Sequence, residues 1–364
     1  MRVLHVTTHF NMGGITNYIL TLSKALKARG VSCVIASSGG DLEAELKASG
    51  ITSVRLDIKT KNELSPKVLI AIPNLVRIIR REKIDVVHAH TRVSQVAAFF
   101  ASKIAGVPYV TTCHGFFKKR LRKIFDTWGV KVIAISDAVA EHLKKDLAVR
   151  EDRIALIYSG VETGRFMKIY SAAEKDAIKI SLGLKEGPVA GTIGRLSDVK
   201  GQRFLIEAMP KIISKYRGSE LLIVGNGPEE TRLKRLAGSL GLEGHIHFAG
   251  SSPHTENFLS VMDVFVLPSL KEGLGIALLE ALAAGKACVA SRVGGIENVI
   301  KDGVNGLLTN SGDIDGISEA VLKLLDQPRL REDLGRHGQA LVREKFSLDS
   351  MADKVAALYK EVAR

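Results

Sequence analysis

The segment Pro268 to Gly285, PSLKEGLGIALLEALAAG, places two carboxylates, Glu272 and Glu280, around the start of an otherwise almost wholly apolar stretch. From Ile276 to Ala284 every residue except Glu280 is aliphatic, and a helix apolar on all sides is one buried on all sides. A carboxylate there must be paired or hydrogen-bonded, or it takes up a proton. Upstream, DVFVLPS reads as a strand, and Glu272, Gly273 and Gly275 as a short loop leading into the helix. Strand, glycine loop and helix together aim backbone N–H groups and the positive end of the helix dipole at one point, which suits an anion. One plainer reading stays open: a core salt bridge for Glu280 and a tight turn for the glycines. Along a loop and a turn of helix the two carboxylates are expected about 10 Å apart. That is wider than suits the ~5–9.5 Å pair of a glycoside hydrolase. It suits an elongated ligand with hydroxyl groups at both ends and an anion between, the layout of hexose, diphosphate and ribose in a nucleotide sugar.

With Glu272 and Glu280 separated by seven residues in EGLGIALLE, the chain resembles the retaining glycosyltransferases of family 4, which have the two-domain GT-B fold. The resemblance implies that Glu272 meets the donor sugar hydroxyls and Glu280 the ribose. It also gives a meaning to PVAGTIGRLSDVKG, where a strand runs to Ile193 and Arg195 and Lys200 follow before a helix near Gln202. Two cations at a strand end suit a diphosphate, arginine as a fork and lysine as a point charge, although a loop Arg and Lys are more often simply solvated. In the family these two hold the leaving pyrophosphate, with the N–H groups of Gly273, Leu274 and Gly275. Gly225-Asn226-Gly227-Pro228 resembles the family's loop near the nucleoside, with Pro228 expected at the first helical position. The segment Ser251 to Phe258 falls where the family holds the base, and Gly294, Gly295 and Glu297 repeat its GGxxE. Ser159-Gly160-Val161-Glu162 stands where most members have Asn-Gly-Val-Asp, so only that loop's detail departs.

The first half reads as alternating strands and helices: VLHVTT, VSCVIASS, VRLDI, DVVHAH, PYVTTCH and KVIAIS, with Ile15, Ile19, Leu22 and Leu26 marking the first helix. Such alternation means a parallel sheet covered on both faces, with ligands at the carboxyl ends of its strands. Gly13 and Gly14 open the first helix; a tight turn or the close approach of a phosphate would each explain them, and the resemblance implies the donor diphosphate near Gly14. His88 and His90 share one face at the end of the fourth strand. A zinc site would need a third ligand, and none is spaced nearby. Cys113 and His114 are adjacent, so they point to opposite faces and cannot form a thiol–imidazole pair. His114, before Gly115, matches the family histidine that meets the donor sugar, while a histidine simply capping the sheet is the plainer reading.

From Phe116 to Trp128 the apolar residues Phe117, Leu121, Ile124 and Trp128 recur at helical spacing among Lys118, Lys119, Arg120, Arg122 and Lys123. This reads equally as an anionic-membrane surface segment or as a surface helix packed on the sheet. Of the chain's net charge of +13, residues 1–165 carry +12, a one-sided basic field that favours anionic partners. Nucleic acid is not expected, because no recognised motif or interleaved stacking aromatics accompany the charge. No apolar run approaches ~18 residues, so no transmembrane helix is expected. The opening MRVLHVTT lacks the pattern of an export signal, and the widely spaced Cys33, Cys113 and Cys288 suit reduced thiols. A cytoplasmic location follows, with attachment to the inner membrane face as an added expectation.

The 364 residues with 46 % hydrophobic content suffice for two domains. These are expected as two doubly wound α/β domains of the Rossmann-like kind facing across a cleft. The first, 1–165, would bind the acceptor; the second, 166–346, would bind the nucleotide sugar. The last stretch, 347–364, with Leu348, Met351, Val355, Leu358 and Val362 on one helix face, would cross back to the first domain. The function implied is transfer of a hexose to a hydroxyl of a glycan or lipid-linked acceptor, as in bacterial surface polysaccharide synthesis, with neither metal nor cofactor. Two rivals stay open: a nucleotide-sugar epimerase of the same fold, and a non-catalytic binding subunit.

Overall fold

Short strands carry the architecture; those at the centre of each sheet are buried and rich in valine and isoleucine, while the edge strands Thr52–Arg55 and Ile154–Leu156 are exposed or half-buried. The computed structural model describes residues 1–117 and 126–363. Among these the chain divides into two compact units, Met1–Gly160 with Leu348–Arg364, and Val161–Ser347. The break at Val161 falls slightly before the Arg165/Phe166 boundary expected from sequence.

The strands of the first unit are β1 (Arg2–Val6), β2 (Ser32–Ser37), β3 (Thr52–Arg55), β4 (Val86–Ala89), β5 (Tyr109–Cys113), β6 (Lys131–Ala134) and β7 (Ile154–Leu156). They form one parallel sheet in the order β3-β2-β1-β4-β5-β6-β7. One face is covered by helices Gly14–Lys27 and Leu348–Val362, around Ile19, Leu22, Leu26, Val355 and Tyr359. The other is covered by Pro66–Arg81 and Arg92–Ala105, around Val68, Leu75, Ile79 and Ala98. The last helix does cross back to the first unit, because its apolar stripe is part of that unit's core. The strand expected over VRLDI stops at Arg55. Beyond it the Ser38 hydroxyl takes the place of the ladder, donating to the Leu56 carbonyl (2.9 Å) and accepting from the Ile58 N–H (2.8 Å).

The second unit repeats the plan with β8 (Val189–Ile193), β9 (Glu220–Val224), β10 (Ile246–Phe248), β11 (Val264–Leu267), β12 (Ala287–Ser291) and β13 (Leu307–Thr309). Their order is β10-β9-β8-β11-β12-β13, all parallel. Both orders reverse direction beside the first strand of the unit, and that reversal opens a crevice at the strand ends. The fold is thus α/β with two doubly wound units, as the sequence predicts. No helix among the described residues is long and apolar enough to cross a membrane. Cys33, Cys113 and Cys288 are all buried.

Candidate functional site

In the second unit, the loops that follow the strands are knitted together through backbone. Leu196 N–H donates to the Asn226 carbonyl (3.0 Å), Gly225 N–H to Gly250 (2.7 Å), Leu270 N–H to Val199 (2.9 Å) and Gly295 N–H to Glu272 (3.1 Å). Such contacts need missing side chains. A Cβ on Gly225 would meet the Gly194 carbonyl oxygen at 2.0 Å, one on Gly227 the Leu196 carbonyl at 2.0 Å, and one on Gly295 the Gly273 carbonyl at 1.8 Å. The glycines at 225 and 227 therefore serve loop packing, whatever ligand approaches them. Pro228 lies in a turn ahead of helix Glu230–Ser239 rather than at its first position. The glycine loop has to return to Leu196, where Glu229 N–H also donates (3.2 Å), before a helix can start.

Glu272 and Lys200 meet directly as an ion pair, with side chains 13 % and 26 % exposed. The Glu272 carboxylate also accepts from the Ser269 hydroxyl (3.4 Å) and from the N–H of Gly273 (3.2 Å). One of the three amides expected to face an anion is therefore already engaged. Leu274 is buried by its side chain, and Gly275, at φ 89°, opens helix Ile276–Ala283, whose first turn no side chain caps. Arg195 is exposed on the loop between β8 and Lys200 and has no ion-pair partner among the described residues; its carbonyl accepts from the Gln202 side chain (3.0 Å).

Glu280 lies one turn further along helix Ile276–Ala283, half-buried. Its neighbours are a Thr255 hydroxyl that hydrogen-bonds it, the Arg165 guanidinium and the Glu256 carboxylate. Burial dominates and pushes the Glu280 carboxyl up to about 7, against the opposing pull of Thr255 and Arg165. Arg165 is itself clamped on Glu256, Nε to Oε2 at 2.7 Å. Sequence reading missed Arg165 and placed Thr255 and Glu256 only within a base-holding segment. The loop leading into helix Thr255–Val261, which bears Thr255 and Glu256, is joined to the glycine loop by Asn226 donating to the Ser251 hydroxyl (3.0 Å).

The first unit holds the two remaining site candidates. Gly14 begins helix Gly14–Lys27, exposed, with open space where a Cβ would stand, so no packing demand explains it. His114 follows β5, and its ring meets the edge of Tyr18 from that helix at 4.8 Å. His88 and His90 are buried at the end of β4, and the third imidazole that the local spacing lacked is His5 of β1, directly opposite His88 in the parallel register. Of the expected membrane segment, residues 118–125 lie outside the described residues. At its end Trp128 is only 3 % exposed and stacks with Phe117, so that ring belongs to the protein interior.

Comparison with known proteins matches these units one by one. Residues 12–165 match the family described as Glycosyltransferase Family 4, and residues 174–341 the family described as Glycosyl transferases group 1. The chain belongs to the group 1, family 4 glycosyltransferases. This glycosyltransferase is 29 % identical over 362 residues to the lipopolysaccharide core biosynthesis glycosyltransferase LpsE of Rhizobium meliloti, covering 95 % of this chain and 96 % of that one. It is 29 % identical over 304 residues to the UDP-Gal:alpha-D-GlcNAc-diphosphoundecaprenol alpha-1,3-galactosyltransferase of Escherichia coli, covering 79 % and 78 %. Among solved structures, the glycosyltransferase is similar to Anabaena Alr3699/HepE in complex with UDP-glucose. The TM-score is 0.88 at 22 % identity, with 99 % of this chain and 100 % of that chain covered.

Proposed function

We propose that this glycosyltransferase moves a hexose from a nucleoside-diphosphate sugar to a hydroxyl of a glycan or lipid-linked acceptor, with retention at the anomeric carbon. The observation that carries this reading is the Lys200–Glu272 ion pair at the uncapped start of the helix that bears Glu280. A cation, amides at a helix N-terminus and two carboxylates along one loop and helix suit a diphosphate flanked by hydroxyl-rich groups. Arg195, Lys200 and the amides of Leu274 and Gly275 stabilise charge on the departing pyrophosphate, a role that usually contributes most in such reactions. Glu272 and His114 orient the sugar, and Glu280 with Thr255 receives the ribose. The anomeric C–O bond to the diphosphate breaks, the acceptor oxygen bonds the same carbon on the same face, and the leaving phosphate oxygen takes the acceptor's proton. No covalent nucleophile is assigned, and no metal or cofactor is required, since Arg195 and Lys200 supply the cations.

A lipopolysaccharide core glycosyltransferase and a UDP-Gal:GlcNAc-diphosphoundecaprenol galactosyltransferase among the relatives, with UDP-glucose bound in a similar structure, support a nucleotide sugar as donor and a lipid-linked or lipopolysaccharide acceptor. The +12 carried by residues 1–165 supports the same reading, with the enzyme working beside an anionic membrane face. Titrating UDP-, GDP- and ADP-sugars against thermal stability, then incubating the stabilising donor with and without lipid-linked oligosaccharide, tests the reading. Transfer with the anomer retained is expected, unchanged by chelator. Isomerised donor formed without any acceptor would point to an epimerase instead.

A further inference from the structure

At the carboxyl ends of β1, β4 and β5, four imidazoles lie close together. His5, His88 and His90 are fully buried and His114 is half-buried at the margin. Two separate sets of contacts hold them. His88 is satisfied at both nitrogens, Nδ1 with the Tyr359 hydroxyl (2.5 Å) and Nε2 with the Thr112 hydroxyl (2.7 Å). The other three form a chain: His5 Nδ1 meets His90 Nε2 (2.9 Å), and His90 Nδ1 meets His114 Nε2 (3.2 Å). Burial holds all four rings well below the ordinary imidazole range, so each is neutral, with one N–H and one lone pair.

A chain of neutral rings can be loaded in only two directions. Run from His114 towards His5, the protons would leave His5 with its N–H on Nε2, an atom that is buried and has no partner. An orphaned buried N–H is the rarer and costlier defect. Run from His5 towards His114, the chain leaves only a lone pair at that atom. His5 donates to His90, His90 donates to His114, and His114 must then carry its own proton on Nδ1.

We propose that His5 and His90 are positioning residues that fix His114 as the Nδ1–H tautomer, so that it offers the site a hydrogen-bond donor and not a lone pair. The inference rests on the reading of His114 as a donor-sugar contact. A donor there suits a sugar hydroxyl oxygen, and His114 Nδ1 has no partner among the described residues. A metal centre is the competing use of the cluster, because His5, His88 and His90 offer nitrogens within 4.8 Å of one another. Two facts favour the relay. Both nitrogens of His88 are already engaged by hydroxyls, and no carboxylate or thiolate among the described residues joins the cluster to offset a dication.

The test is the ring nitrogen spectrum of histidine-labelled full-length protein, read without substrate, beside donor kinetics. The relay expects His114 protonated at Nδ1 in the wild type. It expects the same in His90→Asn, whose amide nitrogen stands near the lost Nδ1–H, with turnover within about threefold of wild type. In His90→Leu the tautomer redistributes and kcat falls by about tenfold or more while the donor KM changes little. A wild-type His114 protonated at Nε2, an unchanged tautomer in His90→Leu, or a stoichiometric metal ion in the purified protein would each overturn it. Should His90→Leu fail to fold, the wild-type spectrum decides alone. The spectrum is blind to catalysis, so failure of the site reading is recognised separately, as full turnover in His114→Ala.

Discussion

At the residue scale, Glu280 is a carboxylate whose charge the fold disfavours, and this gives a prediction with a sign. Its carboxyl titrates at about 7 in the folded chain against an ordinary 4.5. Below 4.5 both states hold the proton. Between 4.5 and 7 the unfolded chain releases it while the folded chain keeps it, so stability falls as pH rises through that window and levels off above it. Glu280→Gln should abolish this fall, on the order of 3 kcal/mol at most, measured as urea stability at pH 5 and pH 8. Ribose hydroxyls donating to the carboxylate favour its charged form. Nucleoside diphosphate affinity should therefore climb from pH 5.5 to 7 and flatten beyond, and calorimetry on Glu280→Gln should give a flat, weaker profile. At the other end of the site, Lys200→Ala removes both the cation proposed to face the diphosphate and the partner of a carboxylate that is 13 % exposed. Turnover should drop about 10²- to 10³-fold. The Lys200→Ala, Glu272→Ala double variant should lose less than the product of the single losses, because the two side chains touch.

At the element scale, the loops of the candidate site are held by backbone contact, and a methyl group suffices to test this. A Cβ at Gly295 would stand 1.8 Å from the Gly273 carbonyl oxygen, so Gly295→Ala must push the Glu272 loop away from β12. Its Tm should fall by several degrees and nucleotide affinity with it, as for other strained core insertions of about 1–3 kcal/mol. Gly14→Ala has open space and should leave Tm unchanged. The same contrast explains what the sequence could disclose. The loops between β8 and β12 were legible because glycines and charges interrupt apolar strands at each turn, and Glu280 because it breaks an aliphatic run. His5 was not legible as a partner of His90, since β1 and β4 become neighbours only through the strand order, and nothing in local spacing states that order. Arg165 beside Glu280 was hidden for a similar reason: the short helix Thr163–Phe166, among the unit's first residues, folds back on helix Thr255–Val261. The early end of β3 turned on one hydroxyl, Ser38, which no periodicity registers.

At the scale of the whole chain, the last helix belongs to the first unit although the second unit is inserted before it. Met351, Ala352, Val355, Leu358 and Tyr359 complete one face of the first core and are almost wholly buried. Removing them exposes Ile19, Leu22 and Leu26 opposite and leaves the buried Nδ1 of His88 without its Tyr359 hydroxyl. Salt bridges from Arg29 to Asp353 (2.6 Å) and Asp349 (3.0 Å) fasten the same helix, but their acids are exposed and contribute little. Burial, then, is what holds it. A chain ending at Ser347 should lose the cooperative melting of its first unit and become sensitive to protease within residues 1–160. Residues 161–347 have a complete sheet of their own and should stay resistant, so mass spectrometry of the surviving fragment checks the outcome. Tyr359→Phe keeps the ring and removes only the hydroxyl, at a cost of about 1–3 kcal/mol. A truncated chain with both units intact would show that the core of the first unit does not depend on this helix as its burial implies, and one in which both were lost together would show that residues 161–347 do not stand on their own sheet alone.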